Sequence, residues 1–272
     1  MMDQPDDRNL AARLELAVSA ARAAGDLTLE FFQRDVVCVE LKPDNSPVTQ
    51  ADRQAEQLLR RMILAAFPRD AILGEEFGEV AGSSGFTWIL DPIDGTKSFI
   101  SGVPLYSVLV GVIHDRVSRV GVIHVPGLRE CVYAAQGQGA WWVRDDRPPQ
   151  PARVSDCDSL ANGLFLTSQV DSFEQRGAAD VYRQLEREAF ITRTWGDGYG
   201  YLLVATGRAV AMVDPLMNAW DAAPLQPVLA EAGGTYTDWS GRETIFGGEG
   251  IGSNGRVHGQ VLAITRAFVR PA

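Results

Sequence analysis

Hydrophobic positions change their spacing along the chain, and each change predicts a different kind of element. Between residues 8 and 34, Leu10, Leu14, Ala17, Ala21 and Ala24 recur at steps of three and four, one face of a long amphipathic helix. A Pro-Asp-Asn-Ser-Pro loop (43–47) leads into VTQADRQAEQLLRRMILAAFP, where Ala51, Ala55, Leu58, Met62 and Ala65 again fall at helical spacing. Thr49 is placed to cap that helix, Asp52 stands at the third position of its first turn, and Pro68 ends it. From residue 71 the pattern becomes short apolar runs rich in β-branched and aromatic residues: AILG, TWILD, YSVLVGVIH, RVGVIHV, ECVYAA and AWWV. Turn formers separate them, so they read as strands, several of them antiparallel neighbours. The charged, proline-rich stretch RDDRPPQPAR (144–153) reads as a linker and divides the chain into 1–148 and 149–272. Beyond it helix and strand alternate: a polar helix over about 172–189, a strand FITRTW, a helix in GYGYLLVATG, a strand AVAMVD, a helix in DAAPLQPVLAEAGG and a strand TYTDW. The expected architecture is α+β, two layered halves joined in one unit.

A chain of 272 residues with 46% hydrophobic residues can bury one large core or two fused ones. No charged start followed by an apolar run is present, nor any apolar window of 18 residues, so the expectation is a soluble, cytoplasmic protein. Cys38, Cys131 and Cys157 are too few and too scattered for a disulfide framework or a metal knuckle and read as reduced thiols, mostly buried. A formal charge of −10 argues against nucleic acid or an anionic membrane as partner. It also poses a problem for any anionic substrate, and a bound cation is an economical solution.

The stretch WILDPIDGTKSFISG (88–102) sets Asp91 and Asp94 three residues apart around a proline, in the turn expected after TWIL. Glu75 and Glu76 follow AILG, and Asp221 follows Trp220 at a helix start, so these acids sit where side chains can enter a cleft. Each alone is commonly a cap or turn residue, Asp-Gly being an ordinary turn dipeptide. Together they repel: two carboxylates about 4 Å apart cost roughly 4 kcal/mol at an effective dielectric of 20. All the donors are oxygen, which favours Mg²⁺ over zinc. His114, His124 and His258 lie in or beside apolar strands or in a loop and read as structural. Gly95 and Thr96, opening a short helix TKSFIS, can present backbone amides to a phosphate.

The segments DPIDGTKSF (91–99), GEE (74–76), SPVTQAD (46–52) and WDAAPLQPVLAEAGG (220–234) resemble the signature segments of the inositol monophosphatase superfamily of Mg²⁺-dependent phosphatases. The resemblance implies a layered α-β-α-β-α fold, usually dimeric, and a small phosphorylated metabolite as substrate. It implies Glu75, Asp91, the Ile93 carbonyl, Asp94 and Asp221 as ligands of two or three Mg²⁺ ions. Gly95 and Thr96 match the phosphate-binding turn, with Asp94 and Asp221 also facing substrate. Asp52 matches the carboxylate that works with the Thr96 hydroxyl, beside Glu75, to orient the attacking water for in-line hydrolysis without a phosphoenzyme.

The C-terminal half is where this superfamily reads the leaving group. TRTWGDGYGYLLVATGRAVAMVD, with Gly-Asp followed by aromatic residues, looks more like the histidinol-phosphate phosphatase branch than the inositol branch, and Lys97-Ser98 points the same way. Histidinol phosphate carries an amine and an imidazole, so a carboxylate such as Asp197 or Asp221 suits it, and Arg193 is a candidate for substrate oxygens. Asp197 could equally cap the helix after Gly196. Asp214 stands seven residues before Asp221, where inositol enzymes carry a glutamate that contacts the sugar, and its shorter side chain weakens the inositol reading. The alternatives are a phosphatase for inositol, other sugar or nucleotide phosphates, and a non-catalytic regulatory scaffold.

Overall fold

The structure is a computed structural model, and it describes residues 7–34, 39–41 and 47–268. The first half comprises α1 (Asp7–Leu29), β1 (Val39–Leu41), β2 (Pro47–Thr49), α2 (Gln50–Ala66), β3 (Ala71–Gly74), β4 (Gly78–Val80), β5 (Phe86–Asp94), α3 (Thr96–Ile100), β6 (Ser107–His114), β7 (Val117–Val125), β8 (Glu130–Ala135), β9 (Ala140–Arg144) and β10 (Gln150–Pro151). The second comprises β11 (Leu164–Leu166), α4 (Asp171–Gln175), α5 (Ala179–Glu188), β12 (Ile191–Arg193), α6 (Gly198–Ala205), β13 (Ala211–Asp214), α7 (Ala219–Ala222), α8 (Leu225–Glu231), β14 (Thr235–Thr237), β15 (Gly250–Ser253) and α9 (His258–Thr265).

These elements stack as five layers. An eight-stranded sheet runs β10-β9-β8-β7-β6-β5-β3-β4, mostly antiparallel with β3 parallel to β5, and a five-stranded sheet runs β12-β11-β13-β15-β14. Helices α1 and α2 cover one face of the larger sheet, α6 and α8 lie between the sheets, and α5 and α9 cover the outer face of the smaller one. The pattern of burial follows the layer. The apolar face of α2 buries Ala55, Leu59 and Ile63, whereas α6, sandwiched between two sheets, is buried from Gly198 to Ala205 save at Tyr199. Along β5 the side chains alternate: Trp88 and Leu90 point at α1 and α2, and Ile89 points at the inner layer. Continuing that alternation delivers Asp91 to the inner face.

The α1–α2 layer is pinned by one buried ion pair. Arg13 reaches Asp70 through two hydrogen bonds of 2.9 Å, and the Trp88 indole N–H and the Ser84 hydroxyl donate to the same carboxylate. The Arg13 guanidinium also lies 3.6 Å from the centre of the Phe86 ring. The additional hydrogen bonds offset the desolvation cost of the buried pair, which fixes how α1 sits on the sheet.

Several details depart from the sequence reading. The chain does not turn between Asp91 and Asp94: β5 runs through both, and the register against β6 shifts so that Asp91 opposes Leu109 and Asp94 opposes Ser107. A β-bulge has absorbed Pro92, which a regular ladder would reject. The helix expected over 172–189 is two, broken at Gly177 (φ 75°), and the helix after Asp221 is two, broken at Pro224. The strands β4, β11 and β15 and the helix α9 carry no clear sequence pattern. Cys131 and Cys157 are free thiols, and Cys38 and most of the 43–47 loop lie outside the described residues. No helix of the described residues is long and apolar enough to cross a membrane.

His124 on β7 is buried against α1, where Gly25 makes room for it: a Cβ there would lie 2.6 Å from the ring. Burial, and then the nearby charge of Arg22, push its pKa down to about 4. Below pH 6.5 the unfolded chain takes up a proton that folded His124 refuses until about pH 4, so its contribution to stability is lost as pH falls through that window. The loss amounts to about 3 kcal/mol when complete. Urea unfolding at pH 7 and pH 4.5 should show a smaller stability difference for His124→Gln than for the unsubstituted chain; an equal difference would refute the assignment.

Candidate active site

Three carboxylates meet where the inner layer touches the larger sheet. One oxygen each from Asp91, Asp94 and Asp221 lie within 4.8 Å of one another. Asp91 and Asp94 come from the bulged end of β5, and Asp221 from α7. Glu75, at the end of β3, lines the same cavity, held there by a hydrogen bond from its N–H to the Leu90 carbonyl (3.1 Å). Glu76 is not among the residues lining it. The turn that carries Glu75 is fixed by the fully buried Glu56, which accepts from the N–H groups of Glu76 (2.7 Å) and Phe77 (3.2 Å) and from Arg60 (2.7 Å).

Each acid is anchored through one oxygen. Asp91 accepts from the Ile93 N–H (3.1 Å), and Asp94 from the Ser107 hydroxyl (2.8 Å) and the Gly198 N–H (2.5 Å). Asp221 is the third residue of a capping box at α7 and accepts the Asn218 N–H (2.7 Å). Asp52 fills the same position on α2, where its Oδ2 accepts the Thr49 N–H (2.8 Å) and hydroxyl (2.6 Å). Its other oxygen lies 3.5 Å from the Thr96 hydroxyl, which also lies 3.1 Å from the Ile93 carbonyl. Gly95, just before Thr96, has φ 89°, a left-handed conformation that favours glycine.

Electrostatics indicate what the cluster suits. Burial pushes Asp91 and Asp94 well above the usual carboxylate range, and repulsion from Glu75 and Asp94 on the first, and from Asp197 and Asp221 on the second, adds to it. Asp221 is raised to about 7, by burial first and then by Glu75 and Asp197. Burial also raises Asp52, against its hydrogen bonds from Thr49. A set of anchored carboxylate oxygens with protons forced onto them is a site for a hard divalent cation, and the donors fit one.

Asp221 reaches the cluster because two glycines let α7 and α8 approach. Gly111 and Gly121 are register partners on β6 and β7. A Cβ on Gly111 would lie 2.7 Å from Ala223 Cβ, and one on Gly121 only 2.0 Å from the Pro224 carbonyl oxygen. The Ser118 hydroxyl donates to the Ala223 carbonyl at 2.5 Å and ties down the same turn. The sequence signal was present, since VGVIH occurs twice, at 110–114 and 120–124, with its glycine in register.

A second cavity of about 180 Å³ adjoins the first and shares Asp94, Asp197 and Asp221 with it. Asp197 makes no cap bond to α6, which removes the capping alternative. Its Oδ2 lies instead where a Cβ on Gly95 would be 2.6 Å away, directly over the Gly95 turn. Asp214 also lines this cavity, but Thr167, Ser168 and Tyr201 already donate to its oxygens (3.3, 2.9 and 3.0 Å). Arg193 is not brought here: it is exposed, and its guanidinium donates to the Thr192 carbonyl. Residues not singled out from the sequence are Ser107, Ser168 and Gln169, whereas Tyr201 is one of the aromatic residues that follow Gly196-Asp197.

A layered fold with this acidic cluster defines a metal-assisted phosphatase. The model of the inositol monophosphatase family matches residues 9–269, and the chain belongs to that family of phosphoric monoester hydrolases, which is metal-dependent. A histidinol-phosphatase of Chlorobaculum parvum is 41% identical over 92% of this chain and 94% of its own length. That of Streptomyces coelicolor is 36% identical over 96% and 97%. Among solved structures, Thermotoga maritima IMPase superposes with a TM-score of 0.83 at 31% identity, covering 95% of this chain and 98% of its own.

Gly121→Ala should push α7 off the sheet and misplace Asp221. Because a displacement of about 1 Å at a reacting centre costs on the order of a hundredfold, kcat/KM for phosphate monoesters should fall at least tenfold. The Mg²⁺ needed for half-maximal rate should rise in parallel, which a magnesium titration of the rate measures.

Proposed function

We propose that the chain is a Mg²⁺-dependent phosphatase that hydrolyses histidinol phosphate to histidinol. The observation that carries the substrate assignment is the charge of the second cavity: Asp94, Asp197, Asp214 and Asp221 line it, and no lysine, arginine or histidine does among the described residues. Such a cavity suits a leaving group that bears a positive amine and disfavours a second phosphate. The 36–41% identity to histidinol-phosphatases supports the same reading. An inositol ring would meet an Asp214 already engaged by donors on both oxygens.

Glu75, Asp91, the Ile93 carbonyl, Asp94 and Asp221 would hold two or three Mg²⁺ ions. Bound there, Mg²⁺ supplies neutralisation of phosphoryl charge and a more acidic water. Gly95 and Thr96 receive the phosphoryl group through their backbone amides, and Asp197 meets the amine of the leaving group. The Thr96 hydroxyl orients the attacking water; as it takes the water's proton it passes its own to Asp52 Oδ1, which the bonds from Thr49 hold in place. In this proposal residues 1–148 hold the metals and residues 149–272 supply Asp221 and read the leaving group. A cytoplasmic homodimer completes it: Phe190 (71% exposed), Ile191 and Trp195 are exposed apolar side chains on or beside the edge strand β12, an edge suited to a second copy.

Two measurements test the reading. The kcat/KM for histidinol phosphate should exceed that for inositol 1-phosphate, fructose 1,6-bisphosphate and 3′-phosphoadenosine 5′-phosphate, and a tenfold preference for any of these would overturn the substrate. Asp94→Asn should lose Mg²⁺-dependent phosphatase activity by at least a hundredfold while its circular dichroism spectrum is kept. Full activity in that variant would overturn the site.

A further inference from the structure

The chain contains two lysines against 23 arginines. Lys42 lies outside the described residues; the other, Lys97, follows Thr96 in the first turn of α3 and lines the cavity of the acidic cluster. It is the one cationic side chain among the described residues lining either cavity. Its ammonium donates to the Oε1 of Gln169, across 72 residues of sequence, and Gln169 lines both cavities. That partner is a neutral amide. Among the described residues no carboxylate lies within 4.0 Å of the ammonium, although Asp197 is near enough to feel its charge.

Lys97 is exposed where the two acidic cavities join, so its ammonium can reach an anion that enters either one. The carboxylates of Glu75, Asp91, Asp94 and Asp221 in this cavity are suited to a metal, whereas Lys97 follows directly on the Gly95–Thr96 turn. A compact ammonium on a flexible stem can follow a phosphoryl group as it changes shape, where a planar guanidinium would impose two fixed bonds. From this geometry we infer that Lys97 is a catalytic residue: when the phosphate monoester enters, its ammonium leaves the Gln169 carbonyl and donates to a non-bridging phosphoryl oxygen. The exchange replaces a bond from the ammonium to a neutral carbonyl by one to an anionic oxygen, so it favours the bound ester over the empty site. It also adds a positive charge of the chain's own toward a dianionic substrate.

The inference rests on the phosphatase reading, and inorganic phosphate as a competitive inhibitor separates the two. The enzyme with Mg²⁺ is compared with Lys97→Met and Lys97→Arg, using histidinol phosphate and p-nitrophenyl phosphate as substrates. A charge-assisted hydrogen bond is worth about tenfold or more. Lys97→Met should therefore raise the inhibition constant of inorganic phosphate at least tenfold and lower kcat/KM by a similar factor on both esters. Its melting temperature and half-saturating Mg²⁺ should not move, and Lys97→Arg should recover most of the phosphate affinity. An unchanged phosphate inhibition constant in Lys97→Met overturns the inference, as does a loss confined to histidinol phosphate, which would place the ammonium on the leaving group. Should the unsubstituted enzyme prefer another ester, the substrate assignment falls, while phosphate inhibition still decides the role of Lys97.

Discussion

Mutual repulsion among carboxylates is the constraint on which the rest of the molecule depends. Asp91, Asp94 and Asp221 present oxygens within 4.8 Å of one another in a buried setting, where each pair costs several kcal/mol when charged. Such a cluster opens unless something stiffer than a side chain holds it. Here the stiff elements are backbone: the N–H of Ile93 for Asp91, that of Gly198 for Asp94 and that of Asn218 for Asp221. Two of the acids in the site, Asp52 and Asp221, are capping-box residues, so the bond that starts a helix also aims a functional group. One oxygen holds the fold and the other faces the cleft.

The same constraint accounts for the layered architecture. Asp91 and Asp94 ride on the larger sheet and Asp221 on a helix of the inner layer, so the site exists only while the two are pressed together. The paired Gly111 and Gly121 bring the Ala223–Pro224 turn against the strands at a distance no side chain would permit. On the far face, the satisfied Arg13–Asp70–Trp88 cluster ties α1 to the sheet. A rigid sheet backed on one face can support a close approach on the other.

Sequence pattern disclosed the parts of this arrangement that are local. The Thr49–Asp52 cap rests on contacts within three residues, and the strands β6 to β8 pair with their neighbours in sequence; the structure has them where the pattern does. What it hid was set by tertiary contact. Pro92 reads as a turn because a regular ladder excludes proline, yet the β6 partner accepts it through a bulge. The strands β11 and β15 are three and four residues long, and β15 reads Gly-Ile-Gly-Ser; the neighbouring strands, and not propensity, make them strands. Arg193 and Lys97 show the limit most clearly. Both are cations near motifs, but β12 is an edge strand that leaves Arg193 exposed, while the Gly95 turn carries Lys97 to the rim of the cleft.

Specificity in such a site follows from how charge is divided between its two cavities. Metals and Lys97 can make the first cavity positive, but among the described residues no cationic side chain lines the second, where Asp197 and Asp214 stand. Burial raises Asp214 to about 6, below neutral pH, and its bonds from Ser168 and Tyr201 favour the ionised form. The leaving-group cavity therefore stays negative under the conditions in which the phosphoryl cavity becomes positive. A bisphosphate would have to push its second anion against those carboxylates, and a neutral polyol would gain nothing from them. A leaving group with its own positive charge gains on that side what the dianion gains on the other. In the proposed assignment, discrimination arises from the same crowding of acids that suits a metal, read from the second cavity that Asp94 and Asp221 also line.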